Sequence, residues 1–308
     1  MKKIWHFLTA QLREDFNVVQ YTLVFAFVCL SLFVNYTTNF DDVVLKSQQG
    51  FTRFAYYFVF YSVAYYVTLM AGFQINKLAF ICKRLFWIKS VIGIAALSLD
   101  SSAPYLREWI FTFDPGLQLW SYKVIINLLG VITVMVPVLL VYYFYDRKET
   151  HFYGLAPSRF DYQPYFLMLM IMLPLLIAAS FLPGFIKQYP MYRVTSAHEL
   201  LGVPEWVTVA IYEFAYGFDF ISVEFLFRGF FVIGMIGILG RQAILPMAIT
   251  YCFLHTGKPL GEAISSVFGG YLLGVIAYET KSVWGGVIVH VGIAYMMEII
   301  GALGKWLR

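Results

Sequence analysis

Charged side chains are scarce in this sequence. Only 13% of its 308 residues are Asp, Glu, Lys or Arg, whereas a soluble domain carries about 25%. The net charge is +4, and no basic cluster is dense enough to indicate a nucleic-acid partner. Hydrophobic residues make up 60% of the chain, and the mean hydropathy is +0.72. This composition predicts an integral membrane protein.

Cysteine is almost absent, and repeats are not found. Cys29, Cys82 and Cys252 lie in or beside apolar runs without paired spacing, so neither a disulfide framework nor a zinc knot is predicted. The sequence also lacks internal repeats, low-complexity segments and long linkers. We therefore predict a single membrane domain over residues 1–308, with anchoring helices in 1–205 and site-bearing helices in 206–303.

Long apolar runs account for most of the chain. Several reach the roughly 20 residues that a helix needs to cross about 30 Å of hydrocarbon, and they do not show the alternating polarity of barrel strands. The sequence therefore predicts an all-α, polytopic transmembrane bundle of about eight to nine helices, surrounded by the lipid bilayer of the cell membrane. The predicted spans before residue 206 are 18–36, 54–73, 85–99, 124–145 and 165–185.

Three features qualify these spans. Pro137 is expected to kink the fourth span. Lys89 leaves open whether the third span is tilted, only partly embedded, or placed so that its lysine reaches the interface. Residues 100–116 are predicted to form a loop. The basic segments expected in the cytoplasm contain Lys2, Lys3, Arg13, Lys77, Lys83, Arg84, Arg147, Lys148 and Arg159.

Ionisable residues inside apolar helices are expected only after residue 206. Glu224 and Arg228 are four residues apart in one helix, and His255 and His290 are solitary on later apolar helices. Buried in hydrocarbon, such groups cost several kcal/mol unless they are paired or face water, so they mark a functional site.

The spacing of these residues predicts where they meet. A break is expected near Gly217, and the next turn about sixteen residues after Glu224 and fourteen before His255. In an antiparallel hairpin both side chains then lie about 20 to 25 Å from that turn. His290 reaches the same level only if residues 256–266 form a loop or a partial re-entrant segment.

Two kinds of hydrolytic chemistry suit this set. Glu224 and His255 can together deprotonate water, with His290 as a donor to the oxyanion. Alternatively, the same three residues can hold a divalent metal such as zinc with one position open for water. The structural alternatives are an internal ion pair between Glu224 and Arg228 and a hydrogen-bonded helix contact between Tyr251 and His255.

Three motifs carry a family resemblance. They are Val223-Glu224-xxx-Arg228, Tyr251-xxx-His255 and His290-xxx-Ala294, preceded by Phe152-Tyr153-Gly154-Leu155. In order and spacing, the region 213–298 resembles the CAAX protease and bacteriocin-processing family of intramembrane endopeptidases. The resemblance implies cleavage of a hydrophobic or membrane-associated protein or peptide, with Glu224, His255 and His290 as catalytic residues and Arg228 and Tyr251 in support.

Two positions depart from the family's motifs. Val223 stands where the family has the Glu taken to activate water, and Ala294 stands where it has an Asn thought to help bind the oxyanion. Glu262, near His255 in sequence, is a candidate substitute for the missing carboxylate. Glu298 is interpreted as a surface or helix-end charge.

These departures leave a second function open. A catalytically inactive family member would bind a membrane substrate or act as a scaffold for a partner. A transporter is a more distant third alternative, because the inverted repeats and paired broken helices typical of transporters are not found in the sequence.

Overall fold

The computed structural model describes residues 2–71, 80–148, 151–157 and 160–307. Within these ranges the regular structure is helical without strands, which confirms the predicted all-α class. In the described part of the chain, seven helical segments are long and apolar enough to cross a membrane, and residues Gln163–Ala179 form a shorter apolar helix. The protein is therefore a multi-pass helical membrane protein.

The α-helices of the described residues are α1 (Lys2–Asp15), α2 (Val18–Thr38), α3 (Gly50–Ala71), α4 (Arg84–Ser102), α5 (Leu106–Ile110), α6 (Pro115–Gly130), α7 (Val136–Tyr145), α8 (Gln163–Ala179), α9 (Pro183–Gln188), α10 (Ala197–Leu200), α11 (Glu205–Glu224), α12 (Ile236–Leu239), α13 (Ile244–Leu254), α14 (Leu260–Thr280) and α15 (Trp284–Trp306). Short π-helical segments cover Asp41–Leu45, Val131–Met135 and Phe225–Phe230, and 3₁₀ turns cover Phe152–Gly154, Ile233–Met235 and Gly240–Ala243.

The prediction of a loop over residues 100–116 is wrong in part. Helix α4 continues to Ser102, and α5 follows after a short turn. Leu106 and Ile110 of α5 are buried against apolar residues of α6 such as Ile125. Because α5 buries an apolar face, it forms a helix where charge and proline content alone indicated a loop.

The distortion expected at Pro137 lies just before it. Residues Val131–Met135 form a π-helical turn, and Pro137 falls in the first turn of α7. A proline has no N–H to donate and its ring clashes with the preceding turn of an α-helix. The wider turn accommodates both effects without ending the span.

Lys89 is buried inside the bundle. It is 3% exposed, its Nζ lies 2.5 Å from Asp146 Oδ2, and it donates to the carbonyl of Gly234 at 2.6 Å. Lys89 is therefore held inside the bundle by two partners, one of which, Asp146, directly follows α7. The expectation that buried ionisable residues occur only after residue 206 is wrong. The contact with Gly234 ties α4 to the second half of the chain.

The connection formed by residues 151–157 packs against the turn between α14 and α15. Val283 N–H donates to the carbonyl of Gly154 at 3.1 Å, and Trp284 Nε1 donates to the carbonyl of Leu155 at 2.9 Å. Gly154 has φ +87, a conformation that favours glycine. These bonds fix the start of α15.

The long apolar stretch after residue 205 is divided as expected, but at a different place. Helix α11 runs through Gly217 unbroken, continues as the π-helical segment Phe225–Phe230, and is followed by turns that lead into α13. A Cβ on Gly217 would lie 2.1 Å from the Tyr295 hydroxyl. This glycine therefore permits close packing between α11 and α15, and the predicted break near it is wrong.

Candidate functional site

The centre of the site is a buried ion pair at the junction of α11 with its π-helical extension. Glu224 and Arg228 are 0% and 1% exposed, and Arg228 Nη1 lies 2.9 Å from Glu224 Oε1. Within the described residues no guanidinium N–H of Arg228 is aligned for a hydrogen bond, so the contact is mainly electrostatic. Arg228 also lies over the Tyr251 ring, 4.4 Å from its centroid. A buried pair of this kind serves structure as well as chemistry.

His290 approaches the ion pair from α15. Its Nδ1 lies 3.1 Å from Glu224 Oε1, and its Nε2 lies 3.0 Å from the hydroxyl of Tyr251. Because a carboxylate bound to Arg228 only accepts, Nδ1 carries the hydrogen in this contact. The Phe220 ring packs against the imidazole of His290, with the ring centroids 4.2 Å apart. Glu224 therefore fixes the orientation of His290.

Close helix packing makes this approach possible. A Cβ built on Gly286, one turn before His290, would lie 1.8 Å from Glu224 Oε2. Any side chain at position 286 would therefore collide with the carboxylate. The position of Glu224 thus requires glycine at this point of α15.

His255 ends α13 on the other side of Tyr251. Its Nδ1 donates to the carbonyl of Tyr251 at 2.9 Å, and the two rings are 4.5 Å apart. Since Nδ1 carries the hydrogen, the neutral ring keeps the lone pair of Nε2 for an incoming proton. Burial lowers the pKa of His255, and the nearby charges of His290, Lys258 and Arg228 act in the same direction. The imidazole is therefore neutral near pH 7.

Tyr251 contacts the imidazoles of His255 and His290 and the guanidinium of Arg228. The structure pairs Glu224 with His290, and the predicted pairing of Glu224 with His255 is not observed. Tyr251 is the seventh residue after the start of α13 and His290 the sixth after the start of α15, so both lie about 10 Å from the beginnings of their helices. This common level brings the second and third motifs together.

The loop required over residues 256–266 is shorter than expected. Residues 255–259 connect α13 to α14, but α14 begins at Leu260, directly after Pro259. The two histidines still share one site, because Tyr251 lies about 6 Å from His255 along α13, towards the start of that helix, and its long side chain reaches His290.

Two further glutamates lie apart from the ion pair. Glu262, in the first turn of α14, accepts a hydrogen bond of 3.0 Å from Tyr189, whose pKa is raised by burial so that the phenol keeps its proton. Glu298 is only 5% exposed and accepts from the backbone N–H groups of Met191 and Tyr192. The interpretation of Glu298 as a surface charge is therefore wrong, since it caps a backbone turn.

The two positions that depart from the family's motifs are packed with apolar side chains. Val223 is half-buried and packs against the main core cluster. Ala294 is buried in a second cluster with Tyr212, Tyr216 and Phe220. Neither side chain has a polar atom that could take part in catalysis.

The residues present do not fit a divalent metal. Among the described residues, no group of three or more His, Cys, Asp or Glu side chains is placed to hold a metal ion. Glu224 Oε1 is shared by Arg228 and His290, and both ring nitrogens of His290 already face partners, Glu224 and Tyr251. Two of the three ligands proposed from the sequence are therefore bound to other groups in this arrangement.

Sequence reasoning missed two other carboxylates in the bundle. Thr133 donates to Asp100 Oδ1 at 2.7 Å, and Ser222 donates to Asp219 Oδ1 at 3.2 Å. Both acids stand in or beside apolar runs, and the hydroxyl residue three positions after Asp219 was the available signal. They belong to the interface of α4, α6 and α11.

Comparison with known proteins identifies the region that holds these residues. Residues 204–296 match the family model described as type II CAAX prenyl endopeptidase Rce1-like. The match covers less than a third of the chain and includes all three motifs. No curated protein and no solved structure matches the chain.

Proposed function

We propose, from the Rce1-like CAAX prenyl endopeptidase domain formed by residues 204–296, that this protein is an intramembrane endopeptidase that hydrolyses a peptide bond in a membrane-associated protein or peptide. The observation that carries the proposal is the pair of imidazoles around Tyr251, one neutral with an available lone pair and one held by Glu224. The remainder of the chain supplies helices that keep this set within the bilayer.

The proposed mechanism uses His255 as the base. Its Nε2 takes a proton from water, the resulting hydroxide attacks the carbonyl carbon, and the protonated imidazole returns that proton to the leaving amine as the C–N bond breaks. We assign His290 to the oxyanion side, because Glu224 fixes its ring and Arg228 adds positive charge nearby. General-base catalysis contributes about 10²–10⁴-fold, and loss of an oxyanion donor costs about 10²–10³-fold.

The alternative proposal is a catalytically inactive relative that binds a membrane substrate or serves as a scaffold. The apolar packing of Val223 and Ala294 favours it, because two polar groups expected in the family are replaced by core contacts. The closed ion pair of Glu224 with Arg228 also fits a structural role. The two proposals differ in whether any peptide bond is broken.

Substitution at the three central residues tests the proposal. We expect Glu224→Gln, His255→Ala and His290→Ala each to lower cleavage of a membrane-anchored reporter peptide by at least about 10²-fold, while the proteins still accumulate in the membrane. Glu205→Gln, at the exposed first turn of α11, is the matched control and should cleave normally. Unchanged cleavage by all three variants would contradict the peptidase proposal. Loss of partner capture, with no cleavage by any variant or the parent protein, would support the scaffold.

A further inference from the structure

We infer that the phenol hydroxyl of Tyr251 is a catalytic group, which donates a hydrogen bond to the oxyanion that forms on the substrate carbonyl. This inference rests on the proposed peptidase function. It assigns to Tyr251 the donor role for which Ala294 has no polar atom. The hydroxyl is 3.0 Å from His290 Nε2, so its position is set by the same network that holds Glu224.

The contacts form an ordered chain of acceptor and donor groups. Glu224 Oε1 accepts from His290 Nδ1, and His290 Nε2 faces the Tyr251 hydroxyl. Carboxylate, imidazole and hydroxyl follow one another as they do in serine hydrolases, with a phenol in the place of the serine. In such a chain the carboxylate fixes the tautomer of the ring and supports its protonated form. The structure therefore controls the hydroxyl of Tyr251 through His290.

One neighbouring charge, that of Arg228, favours donation by this phenol. The guanidinium of Arg228 lies 4.4 Å from the centroid of the Tyr251 ring. A cation over the ring stabilises negative charge that moves onto the phenol oxygen during donation. Because Arg228 and Glu224 are almost completely buried, solvent screens this effect little.

The position of Tyr251 also relates it to the base. Its backbone carbonyl accepts from His255 Nδ1 and so leaves Nε2 of His255 free to take a proton. Tyr251 is 6% exposed, and its ring packs edge-on against Phe227, with centroids 5.1 Å apart. This packing fixes the ring, and the hydroxyl faces His290 Nε2. One residue thus orients the base through its backbone and supplies the donor through its side chain.

The Tyr251 hydroxyl changes its acceptor during the proposed reaction. His255 takes a proton from water, and the hydroxide adds to the carbonyl carbon. The phenol O–H of Tyr251 then donates to the oxyanion instead of to His290 Nε2. As the C–N bond breaks, His255 gives its proton to the amine, and Tyr251 ends the cycle with the hydrogen that it had at the start.

Removal of the hydroxyl tests the inference. Tyr251→Phe keeps the ring and its contact with Arg228, and it should lower kcat for the reporter peptide by about 10²-fold while KM changes less than about twofold. Tyr66→Phe is the matched control, because it removes a hydroxyl bonded at 2.8 Å to Ser90, outside the site. The midpoint temperature of thermal unfolding in detergent should be the same for Tyr251→Phe and Tyr66→Phe. A merely structural tyrosine would not produce the separation of kcat from KM.

Each outcome decides the inference. Wild-type rates in Tyr251→Phe, together with an inactive His255→Ala, would overturn the role of Tyr251 and leave the peptidase intact. A wild-type protein that cleaves no reporter would overturn the proposed function and this role with it. Should Tyr251→Phe not fold, 3,5-difluorotyrosine at position 251 keeps the ring and gives a more acidic phenol. The alkaline pH limit of its kcat must then move to lower pH, because the more acidic phenol loses its donor hydrogen sooner, and an unchanged pH profile would overturn the inference.

Discussion

Arg228 is one of the largest side chains that are almost completely enclosed among the described residues. Its partner Glu224 contacts His290 as well, so one carboxylate oxygen serves a cation and an imidazole at once. Glu224 Oε2 has no hydrogen-bond partner within the described residues. A single substitution here therefore changes the charge balance of the whole site.

Loss of Arg228 should destabilise the protein strongly. We expect Arg228→Met to lower the free energy of unfolding by about 3–5 kcal/mol, because Glu224 would remain buried without a cation. The double variant Glu224→Gln/Arg228→Met should recover part of this loss, since no uncompensated charge is left. Chemical denaturation in detergent micelles measures both values.

A partly exposed ion pair provides the control. Arg241→Met breaks contacts with Glu14 and Glu279, of which Glu14 is 60% exposed, and surface pairs are worth about 0–1 kcal/mol. If Arg228→Met and Arg241→Met lowered the free energy of unfolding equally, burial of the ion pair between Glu224 and Arg228 would contribute no extra stability.

At the scale of elements, α15 is placed by small residues and by backbone bonds at its start. Gly286 lets the helix approach Glu224, and the bond from Val283 to Gly154 fixes where the helix begins. His290 stands one turn beyond Gly286. The geometry of the third motif is thus decided by the first two turns of its helix.

A methyl group at Gly286 should disrupt the site. Gly286→Ala places Cβ within 1.8 Å of Glu224 Oε2, so either the carboxylate or α15 must move. We expect at least about a tenfold loss of reporter cleavage, because a displacement of about 1 Å is costly in catalysis. Rates in proteoliposomes, corrected for the amount of folded protein, give this value.

Gly269 of α14 is the matched control for that experiment. A Cβ at position 269 meets nothing within 4 Å, and alanine is a better helix former than glycine by up to about 1 kcal/mol. Gly269→Ala should therefore keep activity and gain a little stability. Normal activity in Gly286→Ala would contradict the close approach of α15 to Glu224.

At the scale of the whole molecule, connections that were predicted to be cytoplasmic lie on one face. Arg241, between α12 and α13, donates to the carboxylate of Glu14 in α1. Trp284, at the start of α15, donates to the backbone carbonyl of Leu155. The start of α13 and the start of α15 therefore share the face of the N-terminal helix and the 151–157 connection. Tyr251 and His290 lie about 10 Å from these helix starts, and Tyr251 packs beside Gly270 at the middle of α14.

The orientation can be measured with two cysteines. In a protein with Cys29→Ala and Cys252→Ala, the exposed Cys82 should react with a membrane-impermeant maleimide only after cells are opened. Ser47→Cys in the same background, with Cys82→Ala, should react in intact cells because it lies between α2 and α3 on the opposite face. Labelling of Cys82 in intact cells would reverse the topology.

We propose that the chain is one domain. The main core cluster joins residues from Val24 in α2 to Val275 in α14, and Lys89 bonds to Gly234 across the two halves. The anchoring helices thus share a core with the site-bearing helices. Location in the cell membrane is part of the same proposal.

The sequence by itself determined the all-α membrane class, the three motifs and the residues that meet in the site, because apolar run length and spacing follow from the solvent and from helix geometry. It could not show that Glu224 contacts His290, that Lys89 and Glu298 are buried, or that α14 is helical from Leu260. Those facts depend on which neighbouring helix supplies a partner for each polar group. Only tertiary packing decides that choice, because an ionisable side chain in hydrocarbon goes where its charge is compensated.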